Sequence, residues 1–299
     1  MDGIRDQSSS RGGWRCMTNP ALTDDAPVVF LKLGGSLITD KTRPETDRPD
    51  ILSRLAGELA QARARAPRIR LLLGHGSGSF GHAAAARHGT RAGVAGPAGW
   101  LGFAEVADAA ARLNRVVAAQ MLAAGLPKRQ VQPSAGALCR DGSLTAWQID
   151  AVEGALARGL IPLVYGDAVL DTVRGGTIAS TEELFGWLTP RLQPVRIVLA
   201  GVVDGVYDAD PLSNPRAARI GEITPATLPS LARQLGGSHG VDVTGGMLSK
   251  VTEMCRLVAA HPRTEVWLVS GQRAGAVLQA LLGEDAGGTR IAAEGKGSL

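Results

Sequence analysis

The chain has 299 residues, 44% of them hydrophobic and 20% charged, with a formal net charge of +4 at pH 7. That length suffices for one large domain or two lobes with a real core. The charge is diffuse, no Lys/Arg block stands out, and only eleven residues are Phe, Trp or Tyr, so small anions fit as ligands better than nucleic acid does.

No apolar run approaches the roughly 20 residues of a membrane span. Cys16, Cys139 and Cys255 are far apart with no CxxC pair, which argues against a zinc site or a disulfide framework and for a reducing cytoplasm. Residues 1–26 are polar and aperiodic, lack an apolar signal core, and read as a disordered tail. Of 32 basic residues only five are lysine: Lys32, Lys41, Lys128, Lys250 and Lys296. In an arginine-rich background, a retained lysine marks a need for a compact, flexible ammonium.

Val28 to Leu33 reads as a buried strand ended by Gly34-Gly35-Ser36. Residues 50–66 carry Ile51, Leu52, Leu55, Ala56 and Leu59 at a helical period, and residues 69–73 form the next strand. Residues 98–124 predict a long Ala-rich helix ended by Gly125 and Pro127, and Val131 begins a short strand. Residues 148–158 are helical. Ile161 to Asp171 reads as strand, tight turn at Gly166-Asp167, strand. Thr181 to Leu192 predicts a helix capped by Ser180 with Glu183 three residues on. Strands follow at 195–199, 264–269 and 288–292, and helices at 225–235, 245–260 and 274–282. Such alternation implies a mostly parallel sheet covered on both faces, with ligands at the carboxyl ends of its strands. Pro194 is the expected boundary between a lobe at 27–193 and one at 194–299.

GHGSGSFGH, residues 74–82, follows the second strand. Its glycines suit close approach of bare backbone to a phosphate. Gly76-x-Gly78-x-x-Gly81 matches the dinucleotide fingerprint. However, that fingerprint should close the first strand of its unit, and the next acidic residue, Glu105, falls in a helix. A P-loop is excluded, because His82 and Ala83 stand where its lysine and hydroxyl belong. A metal reading would use His75, His82 and His88, but their spacing is irregular and no cysteine or carboxylate joins them. Packing of loop against loop is the plain alternative.

Three further segments suit phosphate handling. Lys32-Leu33-Gly34-Gly35-Ser36 with Lys41 makes an anion cradle of bare N–H groups and two ammoniums. Asp242 to Lys250 (DVTGGMLSK) opens a helix with its positive dipole end. Val203 to Pro211 (VDGVYDADP) is a turn-rich acidic stretch.

The ordered set KLGGSLITDK, GHGSGSFGH, VYGD, VDGVYDADP and DVTGGMLSK resembles the amino acid kinase family over residues 27–292, and within it the isopentenyl phosphate kinase branch. The resemblance implies a three-layer α/β/α sandwich, ATP with Mg²⁺ held mainly by its phosphates, a small-molecule phosphate acceptor and a homodimer. Nucleic acid and membrane are not expected partners, and no protein metal ligand is expected. It implies transfer of a phosphoryl group from ATP to isopentenyl phosphate. Related acceptors such as fosfomycin, or a non-catalytic nucleotide-binding regulator, are the rival functions. By the resemblance, His82 holds the acceptor phosphate, and Lys32, Lys41 and Lys250 contact the transferring phosphates. Ser77 and Gly78 supply backbone N–H groups, and Gly34, Gly35, Ser36, Asp204 and Gly246 lie on the ATP side. Tyr165, Gly166 and Asp167 lie near the acceptor, where orienting a lysine is the alternative role for Asp167. Trp100, Phe103 and Val106 are candidates to line the isoprenoid tail, or simply core. Two departures from the family pattern, Gly201-Val202 before the Asp204-Gly205 turn and Ser180-Thr181-Glu182-Glu183, lie toward the nucleotide side or the lobe junction and bear on nucleotide contacts. Ser77, in place of a common glycine, bears on acceptor choice.

Overall fold

The run at 28–33 forms β1 (Val28–Leu33), whose successive side chains enter two separate cores. The structure is a computed structural model and describes residues 26–209, 214, 216–236 and 243–294; the side chains of residues 82–83 and 233–246 also lie outside the description. The main sheet has the order β12 (Glu222–Ile223), β14 (Thr289–Ile291), β13 (Glu265–Ser270), β9 (Arg196–Gly201), β1, β2 (Arg70–His75), β6 (Ile161–Tyr165), β3 (Lys128–Gln130). Every neighbouring pair is parallel except β13 with β14. The segments before and after Pro194 meet at the β1–β9 pairing, so one sheet crosses that point.

Strand alternation assigns the faces. Val29, Leu31 and Leu33 pack with α2 (Pro49–Arg65), α4 (Gly96–Ala123) and α9 (Ala276–Leu282). Val28 and Phe30 face the other way, toward α5 (Asp150–Ala157), α6 (Thr181–Leu192), α7 (Leu228–Gly236) and α8 (Val243–Ala260). Two short helices, α1 (Gly35–Ile38) and α3 (Gly78–His88), follow β1 and β2 directly. This is the mostly parallel sheet covered on both faces that the strand–helix alternation predicts, and the three-layer sandwich that the resemblance implies.

Some elements differ from expectation. A second sheet, order β5 (Ser143–Trp147), β4 (Ala137–Arg140), β7 (Asp167–Asp171), β8 (Gly175–Ala179), lies beside the first. The strands on either side of Gly166 therefore belong to different sheets: β6 continues the parallel sheet, and β7 pairs with β8 and β4. The strand expected to begin at Val131 ends just before it, and Val131 N–H donates to Leu163 O at 2.9 Å. The pair β10 (Val206–Tyr207) and β11 (Arg219–Ile220) is antiparallel. Most of residues 1–26, the expected tail, lies outside the described residues.

The helix cap read from the sequence is present. Glu183 N–H donates to Ser180 Oγ at 3.1 Å, and the Glu183 carboxylate accepts from Ser180 N–H. Ser180→Ala is expected to destabilise the fold by about 1 kcal/mol. A melting curve checks this, and an unchanged midpoint would mean that packing alone holds α6 in place.

Candidate active site

The parallel strands β1, β2, β6, β9 and β13 all end at the same edge of the sheet, and their loops assemble the site there. Lys32, next to last in β1, points toward the α6–α8 layer. Its Nζ pairs with Glu182 Oε1 in the first turn of α6, and Lys250 Nζ from α8 lies 3.8 Å from the same oxygen. Lys32 and Lys250 thus share the carboxylate of Glu182, which lies 150 residues from Lys32 in the chain. Burial pushes the Lys32 ammonium below its ordinary pKa, and the Glu182 charge opposes this. Burial also pushes Glu182 up, but Lys32 and Lys250 outweigh it and hold the carboxyl below its usual range. Glu253 is raised by burial and then by the charges of Glu182 and Glu183. A small cavity of about 70 Å³ opens above the group, lined by Lys32, Gly34, Glu182, Val203 and Lys250.

The two glycine segments meet back to back. Gly34 N–H donates to Ala200 O at 2.8 Å and Gly76 N–H to Leu33 O at 3.0 Å, so each loop is tied to its neighbouring strand. A Cβ on Gly35 would lie 2.7 Å from Gly78 Cα, and one on Gly78, where φ is +51°, would lie 2.6 Å from Thr39 Cγ2. Packing of loop on loop therefore explains part of the glycine content. Thr39 joins the segments further: its Oγ1 donates to Gly35 O at 2.8 Å and accepts from Ser79 N–H at 2.9 Å. The first turn of α1 leaves the N–H groups of Gly35 and Ser36 without intrahelical partners, beside Lys32.

The stretch 74–82 is less of a loop than its composition suggests. Gly74 and His75 complete β2, and α3 begins at Gly78, leaving Gly76 and Ser77 as the bend. His82 is the fifth residue of α3; its side chain lies outside the described residues, as does that of Thr244, which with Gly246 is at the start of α8. Lys41 is exposed, in the turn after α1.

At the β6–β7 turn, Tyr165 is buried and stacks on His75 at 5.6 Å, with the rings 9° from parallel. Gly166 N–H donates to His75 O at 3.2 Å. Asp167 is buried, accepts from the N–H groups of Ser134 at 3.1 Å and Ala168 at 2.9 Å, and is also bonded by the Ser134 side chain. Burial raises its carboxyl above the usual range despite those bonds. Asp204 is engaged by Tyr207 Oη at 2.6 Å and Arg219 Nη1 at 3.0 Å. Of the histidines of the metal reading, His75 contacts Asn114 and His88 contacts Glu105. No group of three or more His, Cys, Asp or Glu that could hold a metal is found among the described residues. Val106 is core, packed with Ala84 and Ala168. Phe103 packs against that cluster and meets Trp100 edge-on at 5.6 Å. This apolar patch lies between α3, α4 and the small sheet. Sequence reasoning singled out neither Glu182 as a shared counter-ion nor Thr39 as a link.

With this site and fold, the chain belongs to the amino acid kinase family, whose model matches residues 27–269. The isopentenyl phosphate kinase of Methanothermobacter thermautotrophicus is 35% identical over 272 residues, covering 88% of this chain and 98% of the relative. That of Haloferax volcanii is 37% identical over 262 residues, covering 84% and 98%. Among solved structures, an isopentenyl phosphate kinase superposes with a TM-score of 0.75 at 32% identity, covering 88% of this chain and 99% of the other. No helix among the described residues is long and apolar enough to cross a membrane.

Proposed function

We propose that the chain transfers the γ-phosphoryl group of ATP to isopentenyl phosphate, giving isopentenyl diphosphate and ADP. The observation that carries the reading is the convergence of Lys32 and Lys250 on Glu182 beside the paired glycine loops. An acceptor phosphate oxygen attacks the γ-phosphorus, the bond to the β–γ bridging oxygen breaks, and that oxygen leaves with ADP. The second pKa of a phosphate monoester is about 6, so the acceptor is already anionic near neutral pH and needs no general base. The barrier is the alignment of two anions, which calls for cations and N–H donors. Lys32 and Lys250 serve the transferring group, and the N–H groups of Gly35 and Ser36 serve the nucleotide phosphates. His82 and the bend at Gly76-Ser77 serve the acceptor, and the patch at Phe103 receives its apolar tail.

Glu182, the carboxylate on the cavity floor, is already held by two lysines, so no protein ligand for Mg²⁺ is assigned to it. Magnesium, when present, screens charge on the nucleotide phosphates and stays largely hydrated, in keeping with its reluctance to shed water. A homodimer working in the cytoplasm, with an acceptor lobe before Pro194 and a nucleotide lobe after it, completes the reading.

A coupled ADP-release assay with isopentenyl phosphate, dimethylallyl phosphate and fosfomycin tests it. Isopentenyl phosphate should give the highest kcat/KM. Preference for fosfomycin would reassign the acceptor, and ATP binding with no turnover would favour a regulator. In the same assay His82→Ala should lose about 10²-fold in rate; an unchanged rate would remove His82 from the reaction.

A further inference from the structure

Among the histidines whose side chains are described, His75 is the one that is fully buried, and the reaction proposed above does not use it. It ends β2, one residue before the bend that faces the acceptor. Its Nδ1 lies 3.0 Å from Gly76 O, and its Nε2 lies 3.1 Å from Asn114 Nδ2 of α4. A carbonyl oxygen can only accept, so Nδ1 carries the proton and Nε2 offers its lone pair to the Asn114 amide. Gln130 of β3 fixes the orientation of that amide by donating its Nε2–H to Asn114 Oδ1 at 2.6 Å. The parallel ring of Tyr165 fixes the plane of the imidazole. Burial lowers the His75 pKa to about 4, so the ring stays neutral through the working range and the tautomer does not change.

The backbone of the same residue reaches two other parts of the site. His75 O accepts from Thr181 Oγ1 at 2.7 Å, one residue before Glu182, and from Gly166 N–H in the turn before Asp167. A single residue therefore connects the acceptor bend, the helix bearing the shared counter-ion, and the β6–β7 turn. Nothing in the chemistry of phosphoryl transfer needs a neutral, fully buried imidazole here. Its bonding instead suits a brace.

We propose that His75 is a positioning residue that sets the acceptor-phosphate bend: its Nδ1–H holds the Gly76 carbonyl turned inward and so fixes the path of the chain from β2 into α3, while Asn114 and Gln130 lock the ring that does the holding. The inference rests on the reading of residues 76–82 as the acceptor side. It predicts a defect confined to acceptor binding and alignment. A general packing role would disturb ATP and acceptor together.

Two near-isosteric replacements separate the nitrogens. His75→Asn places an amide N–H near the position of Nδ1 and keeps the Gly76 bond. His75→Gln reaches the position of Nε2, keeping the Asn114 contact and losing the Gly76 bond. His75→Gln should raise the acceptor KM about tenfold or more and lower kcat, with the ATP KM within about twofold of wild type. His75→Asn, which keeps the Gly76 bond, should be the milder variant, with an acceptor KM several-fold below that of His75→Gln and an ATP KM within about twofold of wild type. Equal defects in the two variants, or an ATP KM that moves with the acceptor KM, would overturn the proposal. Should neither variant fold, Asn114→Ala decides by the same ratio: a rise in acceptor KM alone supports the brace, and any other pattern overturns it. Wild-type turnover on the acceptor panel tests the underlying reading separately, and the KM ratio is taken on the acceptor that wild type uses best.

Discussion

Lys32→Ala is expected to lower kcat by about 10³-fold while moving the ATP KM by less than about fivefold. The ammonium lines the small cavity and is largely withdrawn from water, where a fixed cation acts more strongly on nearby developing charge than it would in water. Lys250 cannot substitute for it, because Glu182 would then be left with Lys250 alone, 3.8 Å away, and its negative charge would face the incoming phosphates. Glu182→Gln gives the complementary test through pH. Burial already lowers the Lys32 pKa, and the Glu182 carboxylate is the chief influence raising it. Only the protonated lysine is useful, so activity is present below its pKa and lost as pH rises through it. Removing the carboxylate lowers that pKa further, and the alkaline limb of the pH–rate profile should move to lower pH in Glu182→Gln. A limb at the wild-type position would show that Lys32 is not the group titrating. A Lys32→Ala enzyme with normal kcat would remove the lysine pair from the reaction.

Which parts of this arrangement a sequence can carry follows from how local each one is. The strand–glycine boundaries at Leu33 and Gly34, and the capping box of Ser180 and Glu183, are written within four residues and were legible. The family resemblance depends on motifs in fixed order, and the family match over residues 27–269 bears it out. The small sheet was not legible. Its strands are four or five residues long, and β4 alternates buried and exposed residues without a run of apolar ones. Nor does the turn at Gly166 announce that the chain is changing sheets, since pairing partners lie outside the local pattern. The start of α3 was hidden because Gly78 and Gly81 are poor helix formers, and here tertiary packing overrides propensity. The Lys32–Glu182 pair spans 150 residues, and Glu182 alone reads as an ordinary acid in the first turn of a helix.

Gly35→Ala should disable the enzyme more thoroughly than its single added methyl suggests, with an expected loss of about 10³-fold in kcat/KM. The new Cβ would lie 2.7 Å from Gly78 Cα, a contact with backbone that no rotamer change relieves. Gly78 has little room to retreat, because it sits at φ +51° with Thr39 packed against it, and Thr39 is bonded to both Gly35 O and Ser79 N–H. The β1–α1 and β2–α3 loops must therefore part by something near an ångström, and such a misplacement at a reacting centre can cost about 10²-fold by itself. Overpacking should also destabilise the fold by about 1–3 kcal/mol. At about 2–4 °C per kcal/mol for a chain of this order of size, that lowers the melting midpoint visibly without unfolding the protein at assay temperature. Gly57→Ala is the control: it lies within α2, an added Cβ there meets nothing within 4 Å, and the change should be neutral or slightly stabilising. A Gly35→Ala enzyme with wild-type kcat/KM would mean that the two loops slide freely, and that the spacing between nucleotide and acceptor is set by something other than their contact.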